Sequence, residues 1–388
     1  MLNHFPIKLI LFLMVAGLFV LPSIAFSQDN QNQKEEIFSG KVIEILEEKE
    51  IINFDDSITI GQKLKIEARD GTFDGQEIIF DGTQYSIVAS NQYEIGDKVM
   101  ISYSQDAEGS DIFFVVDYVR QSPLYWLAAL FAVIVVIVGK MKGLRALVVL
   151  VFTFAIILGF IIPRILDGAN PLWISILGSI VILVLSVYIT EGLKRTSTIA
   201  IGSVLISLCI TGVLSVWFSA LSKLTGFESE DALYLLNISS GEINIQGLLL
   251  AGIIIGTLGV LDDIVVTQVE LVTQLRSTNP ELTKIQIYSK AMRVGVTHMA
   301  AMVNTLFLAY AGAALPLLVL FSIKEPPFLT MSQVLNNEVV ATEIVRTLVG
   351  SIGLILSVPI STFLAIRFLK KNNDSHHLKK SRGADLPT

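Results

Sequence analysis

The chain contains a single cysteine, Cys209, and that residue lies inside an apolar run. It can form no internal disulfide and no cysteine metal cluster. Charge is also scarce: Asp, Glu, Lys and Arg make up 16% of the 388 residues, against 52% apolar. With a mean hydropathy of +0.66, a soluble protein could not cover its surface, so the class is integral membrane protein. The net charge of −7 and the absence of a basic stripe exclude a nucleic-acid surface. The chain holds no GxSxG, HExxH or P-loop motif, and the stretch "GTLGVLDD" lacks the GxGD of intramembrane aspartyl proteases. No enzyme, cofactor or metal is therefore expected.

The charge that is present is unevenly placed. Residues 34–120 carry 19 Asp and Glu against 8 Lys and Arg, a net −11, which leaves +4 for the remainder. Before them, residues 1–27 have the layout of a secretory signal. Lys8 precedes the apolar core "LILFLMVAGLFVLP", and "AFS" ending at Ser27 offers small residues for cleavage. The segment is a cleaved signal peptide or a retained signal anchor. Without a cysteine at the cleavage point it is not a lipoprotein signal.

Residues 34–120 read as a small β domain. The alternating stretches "KLKIEA", "QEIIF", "YSIVAS" and "KVMISYS" are separated by the turn dipeptides Asp70-Gly71, Asp74-Gly75 and Asp81-Gly82. A small barrel or sandwich fits this length, an OB-like barrel among the candidates. "DGTFDGQE" has some of the acidic spacing of a calcium loop without its full ligand set, so plain hairpin turns are expected.

From Pro123 onward the pattern changes to long apolar runs. Seven spans are expected at about 123–140, 144–163, 171–190, 197–221, 245–268, 297–321 and 343–369. Each is close to the ~20 residues that cross a bilayer. Basic residues alternate between the connections: Lys140, Lys142 and Arg145, then Lys194 and Arg195, then Arg276, Lys284, Lys290 and Arg293, then the C-terminal tail. The intervening connections hold only Arg164, Lys223 and Lys324. The positive-inside rule then puts the β domain outside a bacterial cell membrane and the C-terminus in the cytoplasm. The tail 370–388 is expected to be disordered, with its two histidines solvated.

The carboxylates Asp262 and Asp263 interrupt the fifth run in "GTLGVLDDIVVTQ". An ionisable group inside a membrane helix costs about 2.5–3.5 kcal/mol on insertion scales. Gly252, Gly256, Gly259 and Asp263 are spaced four, three and four apart and share one stripe, which Thr267 extends. Small residues on one stripe let another helix approach, so Asp263 is expected to face the bundle and Asp262 to lie to its side. The sixth run, antiparallel to the fifth, would bring His298 and Thr305 to the same depth. A carboxylate beside an imidazole can hold and relay a proton. Alternatively Asp263 caps a broken helix or hydrogen-bonds locally near the interface, or the span ends early and both residues are wet. Glu343 and Arg346, three apart, are expected to pair, and Pro316 and Pro359 to kink their helices.

Four stretches resemble the YibE/F-like family of bacterial multi-spanning membrane proteins: "GKMKGLRALVVLVFTFAIILGFIIP", "ITEGLKRTSTIAIGS", "GVLDDIVVTQVELVTQLRSTNPEL" and "GVTHMAAMVNTLFLAYAGAALPLLVL". The resemblance implies a membrane location and carries over no catalytic residue or substrate. "GVLDDIVVTQVELV" is also distantly similar to the RND and SecF-type helix, in which the residue matching Asp263 lies on a proton pathway. The preferred expectation is an ion-coupled transporter or export accessory. Asp263 titrates, Asp262 and His298 tune it, and Thr267 and Thr305 supply hydrogen bonds. The bilayer and an unidentified cargo or extracytoplasmic partner would be its partners, with the oligomeric state left open. The rival expectation is a membrane scaffold or sensor whose β domain binds a partner.

Overall fold

The computed structural model describes residues 36–52, 58–83, 92–105, 109–227, 230–238 and 243–369. The signal segment, the stretch "YSIVAS" and the C-terminal tail lie outside the described residues. The chain divides into two compact units that meet between Val135 and Val136.

The first unit contains a five-stranded antiparallel sheet: β1 (Glu36–Ile52), β2 (Ile58–Ala68), β3 (Glu77–Asp81), β4 (Lys98–Gln105) and β5 (Asp111–Tyr118). The strand order is β3-β2-β1-β4-β5. β1 is the organising strand: its first residues pair with β4, and Gly40 to Ile52 pair with β2. Register shifts after Val42 and Ile45 bend it, as bulges do. The sheet curls into a half-barrel whose β3 and β5 edges approach each other. This pairing is that of an OB-like barrel left partly open.

Alternation places Phe38, Val42, Leu64, Ile66, Ile78, Phe80, Val99 and Ile101 inside. The acidic loop after β2 is a turn. Gly71 and Gly75 both adopt φ of 76°, a region glycine enters without a Cβ penalty. The Asp70 carboxylate accepts hydrogen bonds from the backbone N and the Oγ of Ser39, both at 2.6 Å. Glu36 accepts one from the Thr72 amide at 2.7 Å. The loop thus spends its acids on its own folding. It also delivers Phe73 onto Phe38, Tyr103 and Phe113, with ring centroids 4.8–5.5 Å from that of Phe73.

The second unit is helical. The helical stretch Gln121–Leu166 covers 46 residues, of which those from Val136 on belong to this unit. Its residues suffice for two crossings of about 20 residues each. It comprises α1 (Gln121–Ile156), a π-helical turn (Ile157–Ile161) and α2 (Ile162–Leu166). Lys140, at φ 49° and ψ −130°, breaks α1 into two helices, between the first two expected spans. The long helices that follow are α3 (Pro171–Glu191), α4 (Arg195–Leu221), α6 (Ile245–Thr278), α7 (Lys284–Ala313) and α10 (Glu338–Phe368). Short helices α5 (Glu230–Ile238), α8 (Leu315–Ile323) and α9 (Met331–Asn336) join them. Six described helical stretches are therefore long and apolar enough to cross a membrane, the first of them double length.

Two expected boundaries are corrected. The fifth run continues as helix to Thr278 and the sixth begins at Lys284. Arg276, Lys284, Lys290 and Arg293 therefore stand on helices, not in a loop. The extension is amphipathic: Val269, Val272, Ile287 and Ala291 are buried. A capping box between Thr283 and Gln286 starts α7, satisfying its first amides. Pro316 falls at a helix break between α7 and α8, whereas α10 runs through Pro359.

α6 is the central helix, packed against α3, α4, α7 and α10. Hydroxyl groups line its densest surroundings. On α4, Ser203, Ser207, Thr211 and Ser215 are buried at four-residue spacing. Each donates to the carbonyl four residues earlier, at 2.7–3.0 Å. The hydroxyls are satisfied within their own helix, so the face they form is small enough for close helix approach. α10 meets it with Gly353, where an added Cβ would lie 2.0 Å from Thr211 Oγ1.

Candidate functional site: the carboxylate pair on the central helix

Asp262 and Asp263 lie on α6, with Leu261, Ile264 and Val265 fully buried on its inner side. The two acids point about 100° apart, and their surroundings differ accordingly. Asp262 faces α3: its Oδ2 accepts a hydrogen bond from Ser186 Oγ at 2.7 Å. Its Oδ1 is buried with no hydrogen-bond partner. Asp263 is exposed, on a face of α6 that no helix among the described residues covers.

The glycine stripe lies on that same open face. Gly252, Gly256, Gly259, Asp263, Thr267 and Glu270 are all exposed. A Cβ added at Gly252 or Gly259 would meet nothing within 4 Å, and one at Gly256 only the Tyr310 hydroxyl, at 3.4 Å. The expected arrangement is therefore reversed: Asp262 is packed and Asp263 lies open. The apolar bulk of Leu250, Ile254, Leu261 and Val265 decided the orientation of α6. Turning those side chains inward left the glycines outside.

The depth expected for α7 holds. Gln268 of α6 is bonded to the Ala291 carbonyl of α7 at 3.1 Å, and Gly256 lies beside Tyr310. The two helices are thus antiparallel, and His298 comes level with Asp263. No hydrogen bond or ion pair joins the two side chains. The threonines do not reach the carboxylates. Thr267 Oγ1 donates to the Asp263 carbonyl at 2.8 Å, and Thr305 Oγ1 to the Ala301 carbonyl at 3.0 Å. The open stripe thus runs between Ser186 of α3 on one side and His298 and Tyr310 of α7 on the other. The expected Glu343–Arg346 pair forms at 2.5 Å on α10, and Glu191 lies 3.5 Å from Lys142.

Two residues of this region escaped the sequence reading. Ser186 shares a face of α3 with Ser175 and Ser179, at spacings of four and seven, and that periodicity was a usable signal. Its partner could not be read, because α3 and α6 are parallel neighbours 76 residues apart. Gln268 is the other: 3% exposed, its amide donates to Ala291 O and, at 2.7 Å, to Thr362 Oγ1 of α10. It ties three helices together one and a half turns beyond the carboxylates. Among the described residues no group of three or more His, Cys, Asp and Glu side chains is placed to hold a metal ion.

No curated protein and no solved structure matches the chain. The model of one family, the YibE/F-like proteins, matches residues 127–371. That range takes in every helix of the bundle around α6 and both carboxylates, more than half of the whole sequence. The chain is a member of the YibE/F-like family.

Proposed function

We propose that the protein is an ion-coupled transporter or export accessory of the bacterial cell membrane, with Asp263 as its proton-carrying group. One observation carries the reading: an exposed ionisable side chain stands on the central helix of the bundle, level with an imidazole on the neighbouring helix. Intramembrane carboxylates face a bundle interior or a wet path because lipid solvates them poorly. The glycines leading to Asp263 leave that side of α6 without side-chain bulk, so that water or cargo can approach. Asp262, bonded to Ser186, holds the helix in register and adds negative charge beside the carrier. His298, on the neighbouring helix, offers a proton acceptor and donor. The acidic β domain faces outward in this reading and attracts cationic cargo by its field. The C-terminus is cytoplasmic.

Proteoliposomes containing the purified chain and an internal pH dye test the reading. Wild type is expected to carry protons under an imposed gradient, and Asp263→Asn to abolish the flux while inserting normally. Asn keeps the size and hydrogen-bonding capacity but cannot ionise. Flux unchanged by the substitution would reject the carrier role. It would favour a scaffold in which the carboxylates only pack.

A further inference from the structure

A second polar feature lies at the end of the bundle where α6 turns into α7. A cavity of about 510 Å³ opens between the last turn of α6, the first turn of α7 and the end of α10. Arg276, Lys284 and Arg367, one cation from each helix, line it together with the hydroxyl residues Thr273 and Ser277. Among the described residues no acidic side chain lines it. Its apolar wall is Ile287, Ile366 and Leu369.

Arg276 is held in place. Its Nη1 donates to the Leu369 carbonyl and its Nη2 to the Ile366 carbonyl, the latter at 2.7 Å. These bonds satisfy the last carbonyls of α10 while the guanidinium keeps its full charge. Lys284 occupies the first turn of α7, where backbone amides also present positive potential.

The cavity lies past the apolar runs of the helices. The α3–α4 connection, with Glu191 and Lys194, lies beside Val266, Val269 and Glu270 of α6, and marks where the apolar helices end. Arg276 is six residues further along, about 9 Å beyond Glu270 along the helix axis. That distance is past the hydrocarbon, at the outer edge of a polar layer that adds roughly 5–7 Å on each side of the core. Basic cavities between transmembrane helices at this depth suit lipid phosphates.

We propose that this cavity binds a phosphoryl anion, presented by the headgroup of an anionic phospholipid. The mixed lining is the reason to prefer a lipid over a free ion. The three cations meet the phosphate, and the apolar wall meets the glycerol and the start of the acyl chains; the hydroxyls of Thr273 and Ser277 already donate to the Val269 and Gln274 carbonyls. The chain's own C-terminal tail is a poor occupant: residues 370–388 carry Lys370, Lys371, Lys379, Lys380 and Arg382 against Asp374 and Asp385, and their positive excess repels the lining.

The full-length protein, reconstituted in vesicles of equal phosphatidylglycerol and phosphatidylcholine and then extracted, is examined by native mass spectrometry for retained lipid. Phosphatidylglycerol is expected in clear excess. The double variant Lys284→Gln with Arg367→Gln should reduce that retention roughly tenfold. It spares Arg276 and hence the end of α10. Lys290→Gln with Arg293→Gln, on α7 but outside the cavity, should retain lipid as wild type does. A parallel arm measures thermal stability in detergent with inorganic phosphate alone. A stabilisation there, lost in the double variant, with no lipid preference would keep the phosphoryl site and replace the lipid by a soluble anion. Equal retention of both lipids with no phosphate effect would overturn the proposal. So would a double variant indistinguishable from wild type. None of these outcomes depends on proton flux, so the site stands or falls apart from the transport reading.

Discussion

Gly353 and Thr211 form the tightest helix contact with a calculable consequence. Replacing Gly353 by Ala places a methyl group 2.0 Å from Thr211 Oγ1 and 3.3 Å from its Cβ. Ordinary contact begins near 3.4 Å, so the hydroxyl must move by more than 1 Å. Thr211 has little room to do so: it is fully buried, its χ1 is restricted by β-branching, and its hydroxyl is bonded to the Ser207 carbonyl at 2.9 Å. Overpacking of this kind costs about 1–3 kcal/mol. Any Gly→Ala change in a helix also gains up to ~1 kcal/mol of propensity, and Gly259→Ala supplies the control. It carries the same gain on the same class of helix but meets nothing within 4 Å. The Gly353→Ala protein should therefore be about 1–3 kcal/mol less stable than the Gly259→Ala protein, a factor of roughly 5–150 in the unfolding equilibrium. The assay is reversible unfolding in mixed detergent micelles, followed by tryptophan fluorescence. Adding Thr211→Ala to Gly353→Ala should recover most of the loss, with a coupling of about 0.5–3 kcal/mol. Equal stability of the two glycine variants, or no recovery in the double variant, would refute the packing argument.

The remaining predictions address the site, the topology and the sheet. Ser186→Ala should destabilise the bundle by about 1.5–3 kcal/mol, the range for a hydrogen bond to a charged group, in the same micelle assay. Proton flux through Asp263 should persist; loss of flux with unchanged stability would make Asp262 the carrier instead. A reporter fused after Thr388 should be active only if it works in the cytoplasm, and one inserted in the turn after Leu221 only if it works outside. The opposite pattern at either point would reverse the proposed orientation. Residues 34–120 expressed alone should give a β-type circular dichroism spectrum and lose stability in acid. Asp81 is held below the usual carboxylate range by hydrogen bonds from Thr83, and Asp117 by Arg120. Groups lowered on folding stabilise above their unfolded pKa near 4 and lose that contribution as pH falls through the lower folded value. A melting temperature unchanged from pH 5 to pH 2 would contradict this.

The sequence by itself determined the class of the molecule and most of its parts. Apolar runs of bilayer length can be satisfied only as membrane helices, because backbone groups in lipid must bond within their own segment. The period-two stretches with their Asp-Gly turns could only be a small sheet, and β2, β3 and β4 stand where "KLKIEA", "QEIIF" and "KVMISYS" placed them. The antiparallel level of His298 with Asp263 was also legible, since short connections make consecutive helices antiparallel. Tertiary structure decided which way α6 faces. A stripe of glycines marks a place where something can come close, but not whether the bundle puts a helix there. Here the larger apolar residues took the four packed sides, and the glycines and Asp263 were left on the fifth. The same assembly chose Ser186 as the partner of Asp262 and brought Arg276, Lys284 and Arg367 around one cavity. Those pairings join residues about 76 and 90 positions apart, and only the packing of whole helices brings such residues together.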